Sequence, residues 1–252
     1  SDHSPLSPEA IFRKLKVDPG HFNRQRQTLS GLLAGKDQPL KERAEWGAMR
    51  MDPTDVADVN GSTYRFLVNG HGPRDNWTAL FAPGERVRLR IINASAMSIF
   101  NVRIPGLRMT IVQADGLNVV PLPVDEFQIG TAETYDVIVI PAEDRAYSFV
   151  AEVNDRSGMA RATLAPRAGM AAEVPPLRKR PLATMKDMGM GAMDHGAGGM
   201  DHAMRDFDAA PQVKRDPSVQ TISPMPVDRM SEPGQGLEDA GHQVLTYRDL
   251  VA

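Results

Sequence analysis

The chain has 252 residues, 29 Lys and Arg against 32 Asp and Glu, a formal net charge of −3 and 41% apolar residues. A core is possible, but with no basic block longer than Arg178-Lys179-Arg180 there is no electrostatic footprint for nucleic acid or an anionic membrane. With no cysteine, disulfides, thiolate zinc sites, iron–sulfur clusters and cysteine nucleophiles are excluded, and no apolar run nears the roughly 18 residues of a membrane helix.

"SDHSPLSPEA" has neither a basic nor an apolar region, so no signal peptide is expected there. Residues 1–55 read as a helical extension packed on a larger domain. In "SPEAIFRKLK" Ser7 is placed to cap, Pro8 suits the first helical position, and Ile11, Phe12 and Leu15 share a face. "HFNRQRQTLSGLLAG" and "PLKERAEWGAMRM" keep helical spacing, interrupted at Pro19-Gly20 and between Gly35 and Pro39.

Residues 56–167 change to short β-branched or aromatic runs: "STYRFLVNG", "ERVRLRIINAS", "IFNVRIPG", "RMTIVQADG", "DEFQIG", "ETYDVIVIP" and "YSFVAEV". Asn-Gly, Pro-Gly and Asp-Gly turn formers separate them. Alternation in "RVRLRII" puts Val87, Leu89 and Ile91 on one face, with Arg86, Arg88 and Arg90 on the other. Strand signals this dense, with little helix between them, predict an all-β antiparallel sandwich or Greek-key barrel.

Residues 168–240 are rich in Pro, Gly, Ala, Met and charge, and too poor in large apolar residues to offset the cost of ordering them, about 1–2 kcal/mol per residue. They read as an extended arm that lies on the domain, loops out or links onward. "HQVLTYRDLVA", from about 241 to 252, recovers strand or docking character.

Within the arm, residues 185–204 read "MKDMGMGAMDHGAGGMDHAM", with six methionines and two histidines. Met193-Asp194-His195 recurs seven residues later as Met200-Asp201-His202. Core packing is the usual reason for methionine enrichment. It needs a helical or strand period and apolar partners, whereas the five glycines from Gly189 to Gly199 would cost a helix about 0.8–1 kcal/mol each. Metal capture fits better. Thioether sulfur is soft and neutral and selects Cu(I) or Ag(I), while imidazole adds affinity for Cu(II). The expected ligands are Met185, Met188, Met190, Met193, His195, Met200, His202 and Met204, with Asp187, Asp194 and Asp201 attracting cations at longer range. Thioethers carry no proton, so their share of binding persists in acid. The histidine share fades below a pKa of about 6.5. A flexible linker with incidental methionines is the alternative.

The strand region and the methionine stretch together resemble the bacterial periplasmic copper-resistance multicopper oxidases of the CopA/PcoA type. The resemblance rests on "FRKLK", "WGAMRMDPTDVADVNGSTYRFLVNG", "NWTALFAPGERVRLRIINASAMSIFNVRIPGLRMTIVQADG", "VDEFQIGTAETYDVIV", "DRSGMARATLAP", "ATMKDMGMGAMDHG" and "VLTYRDL". It implies a cupredoxin-like domain, the middle of three, in a periplasmic oxidase that uses O2 and converts Cu(I) to Cu(II). It also implies a type 1 copper and a trinuclear copper cluster, expected only in flanking cupredoxin domains. Their His-x-His and His-Cys-His ligands are absent from this chain, so no catalytic residue is assigned in it. His71 reads as a solvated turn residue. A stand-alone copper store without oxidase activity, and a structural domain with an inert linker, are the competing readings.

The glycosylation-like triplets at Asn60, Asn76 and Asn93 carry little weight, and "GQGLED" lacks the third glycine and preceding strand of a dinucleotide fingerprint. Asp115, Asp125, Glu133 and Asp136 read as turn caps or arginine partners, given Arg86, Arg88, Arg90 and Arg103. Met97 and Met109 are expected in strands, as packing or surface residues, with Met109 a possible extension of the methionine patch.

Overall fold

A computed structural model describes residues 1–18, 20–23, 27–57, 60–184, 186–187, 207–208, 211–219, 222 and 228–252. After a two-residue strand at Asp2–His3 the described residues form short helices, α1 (Pro8–Val17), α2 (Leu29–Leu33) and α3 (Leu40–Ala48). Ser7 caps α1 as expected, its Oγ accepting from the Ala10 amide at 3.2 Å, with Pro8 beginning the helix. The expected apolar face is weak. Ile11 and Leu15 are half-buried, but Phe12 is left 65% exposed. Trp46 of α3 is the only buried residue among these helices.

Among the described residues the strands, in chain order, are β1 (Asp2–His3), β2 (Arg65–Phe66), β3 (Thr78–Leu80), β4 (Val87–Ile92), β5 (Phe100–Arg103), β6 (Met109–Ala114), β7 (Leu117–Val124), β8 (Glu126–Ile129), β9 (Thr134–Val139), β10 (Tyr147–Val153) and β11 (Met159–Ala165). They form a five-stranded sheet in the order β3-β11-β10-β5-β8, a four-stranded sheet in the order β4-β9-β6-β7, and the small β1-β2 pair. All pairings are antiparallel except β11 with β3. Phe100, Val102, Phe127, Ile129 and Leu164 from the larger sheet meet Met109, Ile111, Tyr135, Val137 and Val139 from the smaller in one core. The all-β sandwich is as expected from alternation.

Turn chemistry is where the sequence placed it. Asn69 and Gly70 both have positive φ, and Val68 and His71 exchange backbone bonds of 3.0 and 2.9 Å across them. Asp115 and Gly116, at φ 45° and 80°, join β6 directly to β7, the two-residue hairpin turn that needs both residues left-handed.

Several expectations are corrected. "STYRFLVNG" shrinks to the two residues of β2 plus the Val68–His71 bridge. β1, β3, β7 and β11 were not foreseen. β7 contains Pro121 and Pro123 and is an edge strand, where a missing N–H is tolerated. Met97 sits in the bend after β4, and Met109 is fully buried in the core, so it is unavailable to a metal patch.

The chain after β11 runs without helix or strand through residue 184. It returns to the sandwich where Val244 bridges Glu126 in parallel, Leu245 enters the core, and a short 3-10 turn forms at Tyr247–Asp249. The Val120 amide donates to the Val251 carbonyl at 2.7 Å.

Candidate metal-binding loop and its anchorage

All eight expected ligands (Met185, Met188, Met190, Met193, His195, Met200, His202 and Met204) lie outside the described residues. What the structure shows is how the chain is held on either side of them.

On the larger sheet, alternation turns Arg103 of β5, Glu126 and Gln128 of β8, and Glu152 of β10 away from the core. The arm covers this polar face. Arg178 donates from Nη1 and Nη2 to Glu126 at 2.9 and 2.6 Å, and from Nε to Glu152 at 2.6 Å. Its own amide donates to the other Glu152 oxygen at 2.8 Å. Arg103 adds a 2.9 Å bond to Glu152, and His242 Nε2 lies 2.8 Å from Glu126. Both carboxylates are fully buried. Burial alone would raise the Glu152 pKa, but the Arg178 amide, Arg103 and the Arg178 guanidinium outweigh it and hold the carboxyl below its ordinary range. Gly234 comes down on the same face so closely that a Cβ there would meet Gln128 at 2.4 Å.

Beyond Arg178 the arm is tied by the Ala183 amide to the Pro53 carbonyl at 2.8 Å, then makes a tight knot. Asp187 Oδ2 accepts from the Thr184 amide and hydroxyl, each at 2.8 Å, and Asp187 Oδ1 accepts from Arg229 Nη1 at 2.9 Å. Arg229 Nε reaches Glu232 at 2.9 Å, and Lys186 pairs with Glu232 as well. Burial opposes ionisation of Asp187, yet the bonds from Thr184 and Arg229 keep its pKa low. The returning limb is fixed in turn, since the Arg248 amide donates to the Met230 carbonyl at 2.9 Å. Asp187 and Arg229, 42 residues apart, are therefore in contact on either side of the segment that carries most of the expected ligands.

Both Asp187 oxygens are engaged in the knot, so this residue serves as an anchor for the arm. Sequence reasoning missed Arg178, Lys186, Arg229 and Glu232. The only signal available was the placement of charged residues just outside a glycine-rich stretch. A cavity of about 370 Å³ lies beside the knot, bounded by Gln128, Tyr135, Arg229, Met230 and Tyr247. Burial, then the bond to Glu133 at 2.5 Å, pushes the Tyr247 pKa up to about 12, so this phenol stays protonated.

The carboxylates set aside as catalytic candidates have the roles expected of them. Asp115 accepts from the Thr134 amide at 2.7 Å, and Glu133 accepts from the Gly130 amide at 2.5 Å. Asp136 pairs with Arg88 at 2.6 Å, and Asp125 lies 3.5 Å from Arg108. Among the described residues no three His, Asp or Glu side chains gather in a way that holds a metal ion.

The multicopper oxidase family model matches residues 34–169, more than half of the chain, and the chain belongs to that family. Its sequence relatives place it with the copper-resistance branch. It is 44% identical to a copper resistance protein A homolog of Pseudomonas syringae pv. tomato, over 99% of this chain and 48% of that protein. It is 41% identical to copper resistance protein A of Escherichia coli, over 99% of this chain and 49% of that protein. Multicopper oxidase MmcO of Mycobacterium tuberculosis is 38% identical over 65% of this chain and 29% of its own length. The chain thus spans about half the length of the first two. The fold is the cupredoxin-like sandwich of this family.

The residues present do not fit a type 1 or trinuclear copper site. A type 1 site needs a thiolate, and the chain has no cysteine and no His-x-His pair among its six histidines. Of the described ones, His242 is spent on Glu126, and His3, His21 and His71 are exposed. No step of oxygen chemistry is derived through residues of this chain.

Proposed function

We propose that this chain is the middle, type-1-copper-free domain of a periplasmic copper-resistance oxidase, and that its methionine-rich segment captures copper. Residues 56–167 are the cupredoxin-like unit, residues 1–55 a helical extension, residues 168–240 the arm and residues 241–252 a link onward. The ligands are Met185, Met188, Met190, Met193, His195, Met200, His202 and Met204. They hold Cu(I) through sulfur and Cu(II) through imidazole, either for oxidation by copper centres in flanking cupredoxin domains or for sequestration. One observation carries this reading: six thioethers and two imidazoles sit on a glycine-rich stretch that begins beside the contact of Asp187 with Arg229.

The experiment is a Cu(I) titration of the full chain against a version with the six methionines of residues 185–204 replaced by leucine, at pH 7 and pH 5. Leucine keeps bulk and removes sulfur, so Cu(I) affinity should fall at least tenfold in the variant. The wild type should keep Cu(I) binding at pH 5 while Cu(II) binding weakens as the imidazoles protonate, near a pKa of about 6.5. Equal Cu(I) affinity in the two proteins ends the proposal.

A further inference from the structure

We infer that Met51 and Met230 are fixed thioether donors for Cu(I) or Ag(I), one beside each of the two bonds that fasten the arm next to Met185. The inference rests on copper capture by residues 185–204 and adds two ligands that lie outside that stretch, among the described residues. Met51, Met97 and Met230 are the exposed methionines among the described residues, at 39, 53 and 53%. A thioether that fills a core is enclosed by apolar partners, as Met109 is at 0%. Packing therefore does not account for these three. Single apolar side chains on a surface are ordinary, so exposure alone assigns nothing. Their places in the fold separate them.

Met51 follows Arg50, whose φ of 56° turns the chain at the end of α3, and its amide donates to the Trp46 carbonyl at 3.1 Å. Asp52 closes the next turn by accepting from the Thr54 amide and hydroxyl at 2.9 and 2.7 Å. Within that turn the Pro53 carbonyl accepts from the Ala183 amide at 2.8 Å, and Arg180 reaches the Thr54 carbonyl at 3.5 Å. Met51 is thus two residues from a bond to Ala183, which itself stands two residues before Met185. Met230 is one residue from the other bond, since Arg229 meets Asp187 at 2.9 Å and Met188 follows Asp187. The Met230 amide donates to Asp228 Oδ1 and its carbonyl accepts from the Arg248 amide, each at 2.9 Å. The residue also borders the cavity of about 370 Å³. Arg229 does not repel a cation there, because Asp187 and Glu232 answer its charge. Met97, in contrast, stands in a bend bonded through Ala96 and Ser98 to Asp2. Neutral, soft sulfur suits a monovalent coinage ion. A donor on backbone already held by hydrogen bonds loses less freedom on binding than one on a glycine-rich stretch, and so contributes more affinity.

The test titrates Ag(I) into the full chain with isotope-labelled methionine methyl groups, whose resonances are assigned from single Met→Leu variants. The Met51 and Met230 resonances should shift as Ag(I) binds, and the Met97 resonance should stay in place. The double variant Met51→Leu, Met230→Leu should bind Cu(I) more weakly by roughly tenfold or more, whereas Met97→Leu should bind as the wild type does. Leucine keeps the bulk at these exposed positions, so melting temperatures should be unchanged. A resonance of Met51 or Met230 unmoved at saturation, or wild-type affinity in the double variant, would overturn the inference while capture by residues 185–204 stands. An equal shift at Met97 would mark indiscriminate sulfur binding and overturn it too. Wild-type Cu(I) affinity in the version lacking the six methionines of residues 185–204 would end the underlying reading and this inference with it.

Discussion

Arg178 is one side chain that closes a whole face of the sandwich. Its guanidinium spans carboxylates on two strands, Glu152 26 residues earlier and Glu126 52 residues earlier. Removing one partner of a buried ion pair leaves an uncompensated charge, at a cost of about 3–5 kcal/mol. Arg178→Ala should accordingly lower the melting temperature by roughly 6–20 °C for a chain of this size. The loss should depend on pH. Glu152 is held below its ordinary value of 4.5, so its contribution is complete above that pH and is lost as pH falls through the depressed folded value. Urea unfolding of wild type and variant at pH 7 and pH 3 checks this, and a gap as wide at pH 3 as at pH 7 would contradict it. None of this was legible in the sequence. Arg178 reads there as part of a short basic run, because nothing local says which carboxylates it meets.

Elements were legible where local chemistry decides them and hidden where neighbours do. β4, β5, β6 and β9 carry a two-residue period and β-branched side chains, and they stand where alternation put them. β11 is rich in alanine and shows no strand preference, yet it is a strand because β10 and β3 bond it on both sides. β7 was hidden by its prolines for the same reason, tertiary pairing overriding local preference. The Asp115-Gly116 turn is the opposite case, fixed by two residues. Gly116 stands at φ 80° with open space around the position of a Cβ, so a substitution there meets only backbone strain. Gly116→Ala should cost about 1–2 kcal/mol, and Gly116→Asn less, since asparagine tolerates the left-handed region. Denaturant midpoints of the three proteins measure this ordering, and an alanine variant as stable as wild type would show that the turn does not set the β6–β7 register.

At the scale of the whole molecule, the contact between Asp187 and Arg229 fastens the arm on both sides of the segment that carries most of the expected ligands. The class of fold and the copper-resistance resemblance were legible because alternation, turn dipeptides and the Met-Asp-His repeat are all written in short stretches. How the arm is fastened was not, because Asp187 and Arg229 are 42 residues apart and their contact depends on the sheet beneath them. That contact makes the intervening segment a closed excursion whose entropy varies slowly with length, about 0.6 kcal/mol for each doubling. Replacing residues 188–206 with Gly-Ser-Gly shortens the excursion by less than half and leaves Thr184, Lys186, Asp187, Arg229 and Glu232 in place. The replacement should move the melting temperature by no more than about 2 °C, as a change of under 0.6 kcal/mol implies for this length, while removing Cu(I) uptake. Calorimetry of the metal-free proteins and copper analysis after dialysis read the two effects independently. A large fall in stability would mean that the segment packs as part of the scaffold, and copper retained at wild-type stoichiometry would move the binding site elsewhere in the chain.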